Sequence, residues 1–221
     1  MKLPKEFEPE GARKAWIQHG LGELNFWLEH IDEKTKRLQA EEQQGRSQYL
    51  EHAELVFIYS AFLNRLAQIS EKTPDNLNIK TTLVPWLAER TGWPQEVAQA
   101  FWRCIRNPTI HVGRAWVLAD YGLKIGEARL KAGFRPSMLD TKPATEMPEP
   151  HGTGWFMIDW RGAGAEDEIT IYFDFHCLRE VAESVLEKVK EEVSSMNPED
   201  LYKLRKLNER VPFFYVSSPI E

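Results

Sequence analysis

The chain has 221 residues, 28 Lys plus Arg against 34 Asp plus Glu, a formal net charge of -6 and 42% hydrophobic residues. With a mean hydropathy of -0.49, this is the make-up of a water-soluble chain that buries one good core, and no run approaches the roughly 18–20 apolar residues of a bilayer span. Two cysteines, Cys104 and Cys177, and an N-terminal stretch of charges and prolines without an apolar run predict no disulfide framework, no membrane association and a cytoplasmic protein. An acidic total also argues against binding nucleic acid through bulk charge.

In chain order, Gly11 to Gln44 reads as one long helix, with Trp16, Leu21, Leu24, Leu28, Ile31 and Leu38 near the helical period. Ser47 to Ser70 is a second helix, apolar nearly all round from Leu55 to Ile69, which suits a buried central helix or a dimer interface. A shorter helix with Leu83, Trp86 and Leu87 begins or bends near Pro85 and stops at Gly92, and Pro94 introduces a helix over Gln95 to Arg106. Gly113 to Gly133 is predicted helical with an interruption at Gly122. Four prolines between Phe134 and Gly154 mark an irregular connection, and Trp155–Trp160 with Glu168–Phe175 read as a β-hairpin. Helices over Leu178–Ser195 and Asn197–Val211 complete the expectation of an all-α helical bundle in one domain of residues 1–221. A small proline-rich and β-hairpin insertion over residues 134–176 precedes its C-terminal helices.

One constellation carries chemistry. Arg106-Asn107-Pro108-Thr109-Ile110-His111 puts a permanent cation, an amide and an imidazole within six residues. Pro108 cannot continue the preceding helix without a kink, while Asn107 is a favoured N-cap and Pro108 a favoured first residue, so a fresh helix is expected here with His111 in its first turn. Free N–H groups at a helix start, the dipole and a guanidinium fork together suit a phosphate. A near-neutral His can take the proton of a ribose 2'-hydroxyl or supply one to the departing 5'-oxygen, while Arg stabilises charge on the phosphoryl oxygens, with no metal or other cofactor needed. One His does not easily play both roles, so two copies facing across a two-fold axis form a natural arrangement.

The string R-N-x-x-x-H resembles the R-x(4 to 6)-H signature of HEPN domains, helical proteins of many prokaryotic toxin and defence systems. The pattern is expected by chance only about 0.01 times in a chain of this composition. The resemblance implies a helical bundle, a homodimer that brings two motifs together, and metal-independent endoribonuclease activity with Arg106, Asn107 and His111 as the site. It also implies RNA as substrate and an antitoxin or regulatory protein as a further partner. The other reading is a non-catalytic module of the same fold that dimerises or holds a nucleotide or RNA.

Charge distribution qualifies the acidic total. From Phe101 to Arg135 the basic residues are Arg103, Arg106, Arg114, Lys124, Arg129, Lys131 and Arg135 against Asp120 and Glu127, a net +5 that leaves -11 for the rest. Arg103, Arg114, Lys124, Arg129 and Lys131 are therefore candidate RNA or phosphate contacts. No metal site is expected: His19 and His30 are too far apart along one helix to share an ion, and Asp174 with His176, placed on one side of a strand, lack a third ligand.

Overall fold

The computed structural model describes residues 2–44, 49–73, 75–106, 119–125, 128–134, 155–160, 168–173 and 175–210. The chain is mostly helical. Its helices are α1 (Pro9–Ala15), α2 (Glu23–Gln43), α3 (Tyr49–Ser70), α4 (Val84–Thr91), α5 (Gln95–Ala100), α6 (Phe175–Ser195) and α7 (Pro198–Arg210). Three short π-helical segments, Trp16–Gly20, Ile79–Leu83 and Phe101–Arg106, follow α1, precede α4 and follow α5. The strands are β1 (Ala119–Ile125), β2 (Ala128–Phe134), β3 (Trp155–Trp160) and β4 (Glu168–Phe173).

Helices α2, α3 and α6 pack against one another. The apolar stripe of α2 (Leu24, Leu28, Ile31, Leu38) meets Leu55, Tyr59, Phe62 and Leu66 of α3 and Ala182, Val185, Leu186 and Val189 of α6 in one buried core. Each large aliphatic side chain so buried contributes about 1.5–3 kcal/mol. Polar ties fix the same elements at the rim. Glu192 of α6 accepts from Ser70 Oγ at 2.8 Å and from Arg90 Nε at 2.9 Å, while Arg179 donates to Asp32 of α2 at 3.0 Å.

The single helix expected from Gly11 to Gln44 is two helices, because the chain turns where only glycine fits. A Cβ on Gly22 would lie 2.2 Å from the Gln18 carbonyl oxygen, and one on Gly20 would lie 2.5 Å from the Trp16 ring. The Leu21 N–H instead reaches the Trp16 carbonyl at 2.8 Å, the five-residue spacing of a widened turn. After the end of α6, Asn197 caps α7: its Oδ1 accepts from the Asp200 N–H at 2.9 Å and its amide donates back to the Asp200 carboxylate at 3.3 Å.

The largest departure from expectation lies between Gly113 and Gly133, where a helix was expected and β1 and β2 stand from Ala119 onward. Exposed Arg129, buried Leu130 and buried Ala132 follow the period of two that defines a half-buried strand. Ala, Leu, Lys and Arg are all good helix formers, so intrinsic propensity pointed the wrong way and packing decided. The segments expected to form a hairpin do pair antiparallel as β3 and β4, but they form half of a four-stranded sheet of order β1-β2-β4-β3. Its central strands β2 and β4 run parallel, with Leu130 beside Ile169 and Ala132 beside Ile171. The sheet therefore begins well before residue 134, the expected start of the insertion. Helix α6 starts at Phe175, three residues earlier than expected, which puts His176 on a helix and not on a strand.

Candidate functional site

The motif follows directly on a firmly seated segment. Phe101 and Trp102 are buried at the start of the π-helical turn that Arg106 closes. The Phe101 ring lies 6.0 Å from Trp93, 5.4 Å from Trp102 and 5.5 Å from Phe173 of β4, mostly edge to face. Trp93 meets Phe173 as well, at 5.5 Å. Aromatic contacts of this geometry add roughly 0.5–1.5 kcal/mol each beyond the area they bury, so the backbone that leads into the motif is held against the inner face of the sheet. The buried Trp102 indole N–H has no hydrogen-bond partner. Arg103, next in sequence, is exposed. Asn107, His111 and Arg114, and the helix expected to start at Pro108, lie outside the described residues, so of the motif the structure gives only the backbone of Arg106.

The remaining cations of the basic segment stand on a different surface. Leu130, Ala132, Ile171 and Phe173 face inward and are buried, whereas Lys124 of β1 and Arg129 of β2 pair directly across the sheet and are exposed. Lys131 occupies the same outer face by register, two positions along β2 from Arg129. Since segment 101–106 packs on the inner face, the sheet separates these three positions from it. Strand alternation is the signal that would have shown this division; a helical reading of residues 113–133 hides it.

A second polar feature lies where α2 begins. Arg65 of α3 is buried, and its guanidinium, pushed down to about 10 by loss of solvent, is partly restored by the carboxylate of Glu23. Burial likewise pushes the Glu23 carboxyl up, and Arg65 pulls it back. Arg65 donates to Gln68 Oε1 at 3.2 Å, whereas Glu23 Oε2, shielded from solvent, accepts no hydrogen bond. Because the folded protein takes up the Glu23 proton more readily than the unfolded chain, this group's contribution to stability rises as pH falls from neutral through the raised pKa to the ordinary value of 4.5. Glu23→Gln, which takes up no proton at this position, is accordingly expected to fare better against the parent at pH 7 than at pH 4. Urea midpoints measured over this range check the sign. An advantage that grows towards acid would refute it.

Other candidates are less productive. The cleft of about 220 Å³ between the end of α4 and α6 is lined by Arg90, Thr91, Ser184 and Lys188. Three of its polar groups are already engaged: Arg90 with Glu192 and Glu89, Lys188 with the Arg90 carbonyl, Thr91 with the Leu87 carbonyl. Trp16, Trp86 and Trp102 are core residues, as their helical spacing suggests. Among the described residues no three His, Cys, Asp or Glu side chains are grouped to hold a metal ion, and no helix is long and apolar enough to cross a membrane. Neither a protein-family model, nor a curated protein, nor a solved structure matches the chain.

Proposed function

We propose that the chain is a metal-independent endoribonuclease of the HEPN type, a helical bundle that acts as a cytoplasmic homodimer in a toxin or defence role, answering to an antitoxin or regulatory protein. The observation that carries the reading is the string Arg106-Asn107-x-x-x-His111, set immediately after a helix whose end is anchored in the core by Phe101 and Trp102. A catalytic cation needs such an anchor, because transition-state stabilisation depends on donors fixed before the reaction begins. In this mechanism His111 takes the proton from the 2'-hydroxyl as that oxygen attacks the phosphorus, and the 5'-oxygen leaves with a proton supplied by the His111 of the second copy. Arg106 stabilises the charge that builds on the phosphoryl oxygens, and Asn107 orients the pair. Exposed Arg103 adds a cation beside the motif.

The test is cleavage of a mixed RNA pool in the presence of EDTA. The parent protein is expected to cut, and His111→Ala to cut at least about 100-fold more slowly. Equal rates in the two proteins, or no cleavage by either, would sink the catalytic reading. RNA or nucleotide binding without cleavage would favour the non-catalytic module instead.

A further inference from the structure

Among the described residues, the large hydrophobic side chains left exposed are Phe26 of α2, at 67%, and Phe57 of α3, at 53%. Single apolar side chains at a surface are ordinary, but these two share one face. Lys34 of α2 reaches Glu54 of α3, and Glu23 lies beside Arg65. The two contacts fit a single antiparallel register, in which Glu33 stands level with Leu55. On α2, Phe26, Glu29, Glu33, Lys36 and Ala40 follow one another at steps of three and four residues and are all exposed. They form one stripe along the helix, opposite the buried stripe of Leu24, Leu28 and Ile31. On α3, Phe57 comes one turn after half-buried Ala53, on the side away from buried Leu55 and Leu66. The stripe on α2 is also polarised, with its acids before its base. Neither Glu29 nor Lys36 forms an ion pair with another described residue, whereas Arg37 lies 4.0 Å from Glu41.

We infer that this face binds a second copy of the chain, about a two-fold axis that crosses α2 at Glu33 and α3 at Leu55. One axis satisfies three requirements together. Turning the face about it sets the two α2 helices antiparallel, with Phe26 over Ala40 of the second copy and Glu29 over Lys36 of the second copy. The same turn sets Phe57 over Ala53 of the second copy, because those residues stand at equal distances either side of Leu55. Each large ring thus meets a small side chain that leaves room for it, and each of these acids meets a base. A parallel pairing of the same stripes would set Glu29 against Glu29 and Lys36 against Lys36, which like charge disfavours. The like pair that the antiparallel arrangement retains is Glu33 against its own copy, on the axis. An interface of two helices a side is small, so a dissociation constant on the order of 10–100 µM is expected. Well below that concentration the face stands free and Phe26 adds little to folding stability. The contact uses α2 and α3, whereas the motif follows the segment packed on the sheet. It therefore does not rest on the nuclease reading, and adds to the pairing of motifs which that reading requires.

The experiment is static light scattering of the full chain at about 2 µM and about 300 µM, either side of the expected range. The mass of the parent is expected to double between the two, from one copy to two, or from two to four where motifs pair as well. Phe57→Glu sets a carboxylate over Ala53 and is expected to weaken the association at least about thirtyfold, so that the mass stays near its dilute value. Glu29→Lys alone and Lys36→Glu alone are each expected to weaken it about fivefold, and the two together to restore the parent affinity. Glu33→Gln, which removes the like pair on the axis, is expected to strengthen it about twofold. If Phe57→Glu does not fold, the charge swap carries the test, since recovery in the double variant requires a folded chain. Equal masses for the parent and Phe57→Glu at both concentrations, which would leave the face to a different partner, or a double variant no tighter than its single variants, would overturn the inference. Doubling as described with no cleavage of RNA removes the nuclease reading alone; cleavage by a parent whose mass matches that of Phe57→Glu removes this one alone.

Discussion

Phe101→Ala is expected to destabilise the protein by about 3–5 kcal/mol, the cost of losing a buried phenylalanine and leaving a cavity behind. Phe101 is fully buried and touches Trp93, Trp102 and Phe173, so it joins the end of α5 to the inner face of β4. Rigid indole and phenyl rings collapse poorly into a vacated space, which places the change at the upper end of the range. For a chain of this length that corresponds to a fall in melting temperature of roughly 8–15 °C. Phe26→Ala is the matched control: Phe26 is 67% exposed on α2, and its removal is expected to stay within about 0.5 kcal/mol. Chemical denaturation of the two variants decides the matter, and a loss below about 1 kcal/mol for Phe101→Ala would show that the aromatic joint is not the anchor described.

Arg106→Lys is expected to keep the charge and lose the chemistry. A lysine is a compact point charge, whereas arginine offers parallel donors to two phosphoryl oxygens at once. Removing such a donor pattern from a transition state costs about 10²–10³ in rate, while RNA affinity should change only a few-fold because the positive charge stays. Single-turnover cleavage kinetics separate the two effects. If Arg106 and His111 act as a unit, the double variant Arg106→Lys with His111→Ala is no slower than His111→Ala alone. A strictly multiplicative loss would show that Arg106 acts independently of His111.

The helices of the core were legible because their apolar periodicity and their final packing agree. Leu24, Leu28 and Ile31, and Val185, Leu186 and Val189, are spaced as buried faces and are buried. The break at Gly20 to Gly22 was harder to see, since its cause is the close approach of Gln18 and Trp16, a meeting of successive turns that leaves no mark on hydrophobic spacing. The strands at 119–134 leave little mark on the sequence, because Arg129, Leu130, Lys131 and Ala132 prefer helix as individuals and become a strand only beside β4. The candidate motif was legible as a string of residue types. The position of Phe101, which leads into it, relative to Lys124 and Arg129 is not, since Phe101 packs against Phe173 on the inner face of the sheet while those two residues are exposed on the other.

The parallel pairing of β2 with β4 has a consequence for how fast this protein reaches its native state. Each antiparallel pair, β1 with β2 and β3 with β4, joins segments close in sequence and closes a short loop. The central join links Leu130 to Ile169, 39 residues later, and every residue pair along it carries a similar separation. Closing that distance costs chain entropy before any contact repays it, so the seam between the two pairs is expected to form late. Until it does, β2 and β4 each expose an unpaired edge lined by Leu130, Ala132, Ile171 and Phe173, and a chain caught at that stage is prone to pair with a neighbour. Refolding yield should therefore fall with protein concentration more steeply than the helical signal alone would suggest.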